Sequence, residues 1–158
     1  MKVLVVYDSV YGNTEQVAFA ISNSLSSEGN IEKVRVKELN IEQLQGLDYL
    51  IVGSPTHAFK PTKAIRTFLK SMSKNGLRGV KVAAFDTRIS KDEANSVAFN
   101  FLEKIFGYAA KPIADRLRKK GGTLIVPPEG FFVNDTEGPM KDGEIERAES
   151  WAKQIIKS

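Results

Sequence analysis

The sequence predicts an α/β fold, a three-layer sandwich in which one open parallel sheet of five strands carries helices on both faces. Three observations carry this. Five short apolar runs alternate with stretches of helical periodicity. Three of the runs are almost continuously apolar, as strands covered on both faces must be. No repeat, low-complexity tract or linker interrupts the 158 residues, a length that suits a single domain over 1–158.

The elements follow in order. The run Val3-Leu4-Val5-Val6-Tyr7 marks a central strand over 2–8. A helix over 14–27 places Val17, Ile21 and Leu25 on one stripe, with Asn13 as its expected cap and Gln16 three residues on. Strand 32–37 alternates through Val34-Arg35-Val36, the pattern of an edge strand with one wet face. Strands 48–54 and 79–86 are central, and the helix between them, 62–73, buries Ile65, Phe68, Leu69 and Met72. A long helical pattern over 91–120 breaks near Gly107 and restarts at Pro112. Its end, Arg116-Leu117-Arg118-Lys119-Lys120, places cations where the helix dipole favours them, and Gly121-Gly122 stops the chain. Strand 122–127 follows, with Phe131-Phe132 extending or flanking it. The last helix, 143–157, turns Ile145, Ala148, Ala152 and Ile155 inward. Trp151, Tyr108, Phe101 and Phe106 are expected in the core, and Asp135, Glu137 and Asp142 in solvated turns.

Composition narrows the chemistry. The chain has no cysteine, which removes disulfides, thiolate metal sites and cysteine nucleophiles. Its one histidine, His57, excludes a polyhistidine metal site within one chain. No apolar run approaches the ~20 residues of a membrane helix, and no signal-peptide pattern opens the sequence. The expectation is a cytoplasmic protein without membrane insertion. The net charge of +4, from 23 basic and 19 acidic residues, favours acidic partners or anionic small molecules. No aromatic residue is interleaved with the basic run at 116–120 and no nucleic-acid motif surrounds it, so a nucleic-acid partner is not expected.

Ser9-Val10-Tyr11-Gly12-Asn13-Thr14 links the first strand to the first helix. In an open parallel sheet, ligands bind beyond the carboxyl ends of the strands, where the strand order reverses. Backbone N–H groups of such a turn, with the free N–H groups of the helix, point at whatever sits above. Gly12 lets the backbone curl, while Ser9, Asn13 and Thr14 add donors. The loop has one glycine and no lysine, so it is neither a Walker loop nor a dinucleotide fingerprint. From these residues alone it is either a capped helix start or an anion site.

The stretch Tyr7-Asp8-Ser9-Val10-Tyr11-Gly12-Asn13-Thr14-Glu15 resembles the FMN phosphate loop of the flavodoxins. Gly53-Ser54-Pro55-Thr56-His57-Ala58-Phe59 is similar to the family's loop beside the isoalloxazine ring. Ala84-Phe85-Asp86-Thr87-Arg88 and the segment from Glu129 to Trp151 extend the likeness over nearly the whole chain. The resemblance implies a flavodoxin-like sheet of order 2-1-3-4-5 in a short-chain form. It implies FMN, with Ser9, Tyr11, Gly12, Asn13 and Thr14 on the phosphate. Pro55, Thr56, His57, Ala58 and Phe59 would line the ring, and Asp86, Thr87 and Arg88 would approach from the other side. The implied function is electron transfer between redox partner proteins, a reductase and an acceptor, with acidic partners suited to the charge.

Three departures from the family pattern bear on this. Ala58 stands where a glycine is common, and alanine is penalised at positive φ. That predicts a flavin with more two-electron character. Residues 86–96 contain no aromatic to stack on the ring, which leaves one face open. Lys60, Lys63, Arg88 and Lys91 outnumber Asp86, Asp92 and Glu93 in the ring-side loops, which predicts a reduction potential above that of acidic flavodoxins. Two alternatives stand beside the electron carrier. One is a flavin-dependent reductase or oxidase of small acceptors, of quinone or porphyrinogen type. The other is an interaction domain without flavin.

Overall fold

The computed structural model describes residues 1–89 and 107–158. The elements are β1 (Lys2–Tyr7), α1 (Asn13–Ser24), β2 (Asn30–Arg35), β3 (Tyr49–Pro55), α2 (Lys63–Ser71), β4 (Lys81–Ile89), α3 (Ala110–Lys119), β5 (Thr123–Leu124), β6 (Glu129–Val133) and α4 (Glu144–Lys157). The helix expected over 91–106, with Phe101 and Phe106, lies outside the described residues.

Among the described residues every pair of strands runs parallel, and the order β2-β1-β3-β4-β5 is the one the family resemblance implies. The fifth strand differs in detail. Expected as one run over 122–127, it is two segments on successive parts of β4: Thr123–Leu124 beside Lys81 and Val82, then Glu129–Val133 beside Phe85–Ile89. Pro127 and Pro128 fall between them and have no N–H to give a ladder. β2 lies at the edge, as its alternation requires, but runs 30–35, with a 3-10 turn starting at Val36. α3 begins at Ala110 rather than Pro112. The proline falls in the first turn, where its missing N–H costs nothing.

Period-two alternation on the central strands divides the core into two layers. Val3, Val5 and Tyr7 of β1, Ile51 of β3 and Phe85 of β4 face α1 and α4. Leu4 and Val6, Leu50 and Val52, Val82 and Ala84 face α2 and α3. Phe85, Phe131 and Trp151 meet edge-on with centroids 5.8–6.2 Å apart, so Trp151 and one ring of the Phe131-Phe132 pair are core, as expected. With β1 flanked by β2 and β3, the loops that follow β1 and β3 leave adjacent strands at the point where the strand order reverses.

Candidate functional site

β1 ends at Tyr7, and residues 8–12 cross the carboxyl edge of the sheet before α1 begins. The Asp8 N–H donates to the Gly53 carbonyl at 3.1 Å, tying this loop to β3. The buried Asp8 carboxylate accepts from the Ser9 N–H at 2.9 Å and from the Thr62 hydroxyl at 2.6 Å. Thr62 is the N-cap of α2, so one carboxylate joins the two loops across the switch point. The Ser9 hydroxyl accepts from the Gly12 N–H at 3.1 Å and the Glu15 N–H at 3.4 Å, which leaves its proton free to donate. Thr14 and Thr87 pair through their hydroxyls at 2.8 Å. Whichever donates, the pair keeps one proton for a ligand.

Asn13 does not cap α1. Gly12 holds the N-cap position at φ 93°, and Asn13 is already helical and buried, with its amide against Gly138. The Ser9 hydroxyl takes over part of the capping work, through the Glu15 N–H. A Cβ at Gly12 would meet no atom within 4 Å, so the glycine is demanded by its backbone angle, and the space above it is open.

The loop is supported from below. Arg35 Nη1 donates to the Ser9 carbonyl at 2.8 Å, while Arg35 Nη2 and the Tyr7 hydroxyl both donate to Glu15 Oε2, at 3.2 and 2.8 Å. The Tyr7 hydrogen bond, with Arg35 beside it, holds the Glu15 carboxyl below the usual carboxylate range. Burial, and then the bond to Glu15, push the Tyr7 phenol up to about 12.

After β3, the backbone of His57 and Lys60 exchanges two hydrogen bonds of 2.8 Å across a two-residue turn. Its central residues are Ala58 at φ 46° and Phe59 at φ 67°. Two successive positive angles make a type I′ turn, which normally recruits asparagine and glycine. The conformation that penalises alanine is adopted at Ala58 and extended to Phe59. Thr56 anchors the turn: its N–H donates to the Thr87 carbonyl at 3.0 Å, and its hydroxyl accepts from the Ala109 N–H at 3.2 Å.

At the end of β4, Asp86 and Arg88 form a two-pronged pair, Nε to Oδ1 and Nη2 to Oδ2, both at 2.7 Å. Asp86 also accepts from the Ala110 N–H at 2.9 Å and has no exposed surface. Burial pushes its carboxyl up, against the pull of Arg88 and the Ala110 N–H. The Arg88 guanidinium lies 3.7 Å from the centroid of the Tyr108 ring and fills the space beside Gly130, where a Cβ would come within 2.1 Å of Nε.

The structure brings most of the expected residues to one cleft. A narrow compartment of about 70 Å³ is bordered by Ser9, Tyr11, Asn13, Thr14, Pro55, Thr56, His57, Thr87 and Arg88. A second compartment of about 460 Å³ shares Thr56, His57 and Arg88 with it and adds Ala58 and Phe59. Gly12 contributes backbone, and Asp86 lies beneath the cleft, off its wall. Tyr108, expected in the core, is half-buried and lines the wider compartment. Val10, Ile89, Val133 and Thr136 also border the cleft and were not anticipated. Tyr108 had a signal, a ring directly after the helix-breaking Gly107. Thr136 had none.

The donor set fits a phosphate. Loop and helix N–H groups converge with hydroxyl protons at a helix N-terminus, and Asp8 is turned under the loop. The wider compartment has a small-ligand volume, within the ~300–1,000 Å³ of binding pockets. The model of the flavodoxin domain matches residues 4–126. A flavodoxin of Clostridium saccharobutylicum is 33% identical over 103 residues, 62% of this chain and 59% of that protein. A probable flavodoxin 1 of Bacillus subtilis is 32% identical over 87 residues, 53% of this chain and 54% of its own. The chain thus spans little more than half the length of these relatives. The solved structure of oxidised flavodoxin 1 from Bacillus cereus superposes with a TM-score of 0.79 at 19% identity, over 99% of this chain and 98% of that one.

Proposed function

The chain belongs to the flavodoxin family, whose site lies at the switch between the first and third strands, and we propose that it binds FMN there and works as an electron carrier between proteins. The observation that carries this is the pairing of loops across the switch. An anion-suited turn leaves β1, a turn set by two positive φ angles leaves β3, and Asp8 fixes one against the other. Ser9, Tyr11, Gly12, Asn13 and Thr14 would hold the phosphate. Pro55, Thr56, His57, Ala58 and Phe59 would line the ring with Thr87 and Arg88, and Tyr108 joins them. Asp86 acts through Arg88.

When bound, FMN supplies the one- and two-electron chemistry. The chain binds, orients and shields. The Ser9 hydroxyl and the loop N–H groups not already held by Asp8 and Ser9 would donate to the phosphate, and these neutral dipoles would stabilise its charge without a bound cation. Arg35 and Glu15 keep the loop shaped in the absence of ligand, which lowers the cost of binding. His57 and Ala58 are exposed, so the ring-side turn lies at the surface, within reach of a protein partner. We place this single domain in the cytoplasm, with a reductase and an acceptor as its partners.

The test is the visible absorption spectrum of the chain after incubation with FMN and desalting. Retained flavin bands, lost in Gly12→Ala, are expected. A chain that retains no FMN overturns the proposal. Turnover of a nicotinamide donor with a quinone, without a separate reductase, would overturn the carrier assignment while leaving the cofactor in place.

A further inference from the structure

The cations of this chain are segregated. Between Asp48 and Asp86 the sequence holds no carboxylate, yet Lys60, Lys63, Arg66, Lys70, Lys74 and Arg78 are all exposed. α3, which packs beside α2, exposes Lys111, Arg116, Arg118 and Lys119. Its one carboxylate, Asp115, is taken by Lys111 at 3.1 Å. Between the two helices runs a groove of about 300 Å³, bordered by Lys60, Arg66, Lys70 and Arg116 and floored by Pro61 and Leu69. None of these four cations has an ion-pair partner among the described residues. Among the described residues, the carboxylates lie off the α2 and α3 segments apart from Asp115.

We propose that the α2–α3 face is the docking surface for an acidic redox protein. The proposal rests on the carrier reading above and names the chemistry of the partner. Position is the first reason: Lys60 closes the ring-side hairpin, so the basic face begins at the rim of the cleft. A partner seated on it is held next to the ring edge. Charge is the second. Unpaired cations around a concave patch focus field lines, draw in an anionic surface and raise its association rate 10- to 1,000-fold, roughly, at low salt. The third reason is the absence of stacking surface. The exposed large apolar residues among those described, Tyr11 and Phe19 included, lie off α2 and α3, so the face offers the bases of a nucleic acid no stacking partner.

The test uses the full chain incubated with FMN, an acidic [2Fe–2S] ferredoxin as the probe, and titration calorimetry at two salt concentrations. Arg66→Glu/Lys70→Glu/Arg116→Glu changes only exposed residues away from the cleft. It should weaken ferredoxin binding at least tenfold and flatten its salt dependence, with FMN retention unchanged. Lys33→Glu/Lys153→Glu/Lys157→Glu makes the same change in net charge elsewhere and should leave binding near the wild-type value. Equal losses in the two variants would overturn the proposal, since net charge and not this face would then govern binding. Tighter binding of basic cytochrome c, or of an oligo-dT strand, than of ferredoxin would also overturn it. If the chain retains no FMN but ferredoxin binding still depends on Arg66, Lys70 and Arg116, the docking surface stands and the carrier reading falls.

Discussion

Ala58→Gly should stabilise the FMN-free chain, an uncommon outcome for a change that removes a methyl group. Ala58 is exposed and sits at φ 46°. A side chain in the left-handed region costs about 1–2 kcal/mol relative to glycine. Glycine gives back roughly 0.4–1 kcal/mol by loosening the unfolded chain. The net gain is then roughly 0–1.6 kcal/mol, centred near ~0.8 kcal/mol. With a urea slope of ~2 kcal/mol per molar, the unfolding midpoint should rise by roughly 0.4 M, and by no more than about 0.8 M, at unchanged slope. Ala58→Asn, which tolerates the same region without loosening the unfolded chain, should gain at least as much. Gly12 is the mirror case: φ is 93°, and a Cβ would meet no atom within 4 Å. Gly12→Ala should lower stability by roughly 0–1.6 kcal/mol, the backbone angle costing about 1–2 kcal/mol and the stiffer unfolded chain returning roughly 0.4–1 kcal/mol. The assay is urea unfolding of all three variants, followed by tryptophan fluorescence from Trp151. A lower midpoint for Ala58→Gly would refute the reasoning, because the alanine methyl would then be earning more from packing than its backbone angle costs. A second readout connects stability to function. A looser turn should bind FMN more weakly, so affinity and stability should move in opposite directions.

Three further outcomes are expected. Glu15→Gln or Arg35→Met should weaken FMN binding about tenfold, roughly 1.4 kcal/mol, without either residue touching the ligand; fluorescence quenching of added FMN measures it. Because the Glu15 carboxyl is held below its ordinary range, its contribution is present above the unfolded value near ~4.3 and disappears as pH falls through the lower folded value. Tyr7 runs the other way. Its folded value of about 12 lies above the unfolded ~10, so its contribution is complete below ~10 and is lost as pH rises from there toward 12. Alkaline unfolding of the wild type should steepen in that window and flatten in Tyr7→Phe. Asp86→Ala should cost about 3–5 kcal/mol by stranding Arg88 and the Ala110 N–H, and Asp86→Ala with Arg88→Met should recover most of it in thermal melts.

The sheet was legible because strands covered on both faces must be nearly continuously apolar, and β1, most of β3 and residues 82–85 of β4 are. The interrupted fifth strand was less legible. Ile125-Val126 reads as continued strand, and only the missing donors of Pro127 and Pro128 explain the step to β6. The candidate site divides in the same way. Ser9 to Thr14 and Pro55 to Phe59 are contiguous in sequence, so their local pattern carries them. The Asn13 cap failed because a cap is a contest between local and tertiary partners, and Gly138 lies 125 positions away along the chain. Tyr108 was misread although Gly107 before it offered a local signal, whereas no short window marks Thr136.

Charge is where counting residues and placing them diverge most. The sequence sums Lys60, Lys63, Arg88 and Lys91 against three carboxylates and expects a raised potential at the ring. Lys91, Asp92 and Glu93 lie outside the described residues. Arg88 is matched by Asp86 at two 2.7 Å contacts, so the pair approaches the cleft as a nearly neutral dipole. Lys60 and Lys63 are exposed, where water and salt screen them within a Debye length of about 8 Å at physiological ionic strength. Neither arrangement delivers a full unscreened charge to the ring. The same exposure that weakens those lysines as modulators of the cleft leaves them available to an approaching surface. Their field is cancelled by solvent until a partner displaces that solvent. On the proposed carrier reading, the excess positive charge would therefore act at the encounter between proteins more than on the cofactor.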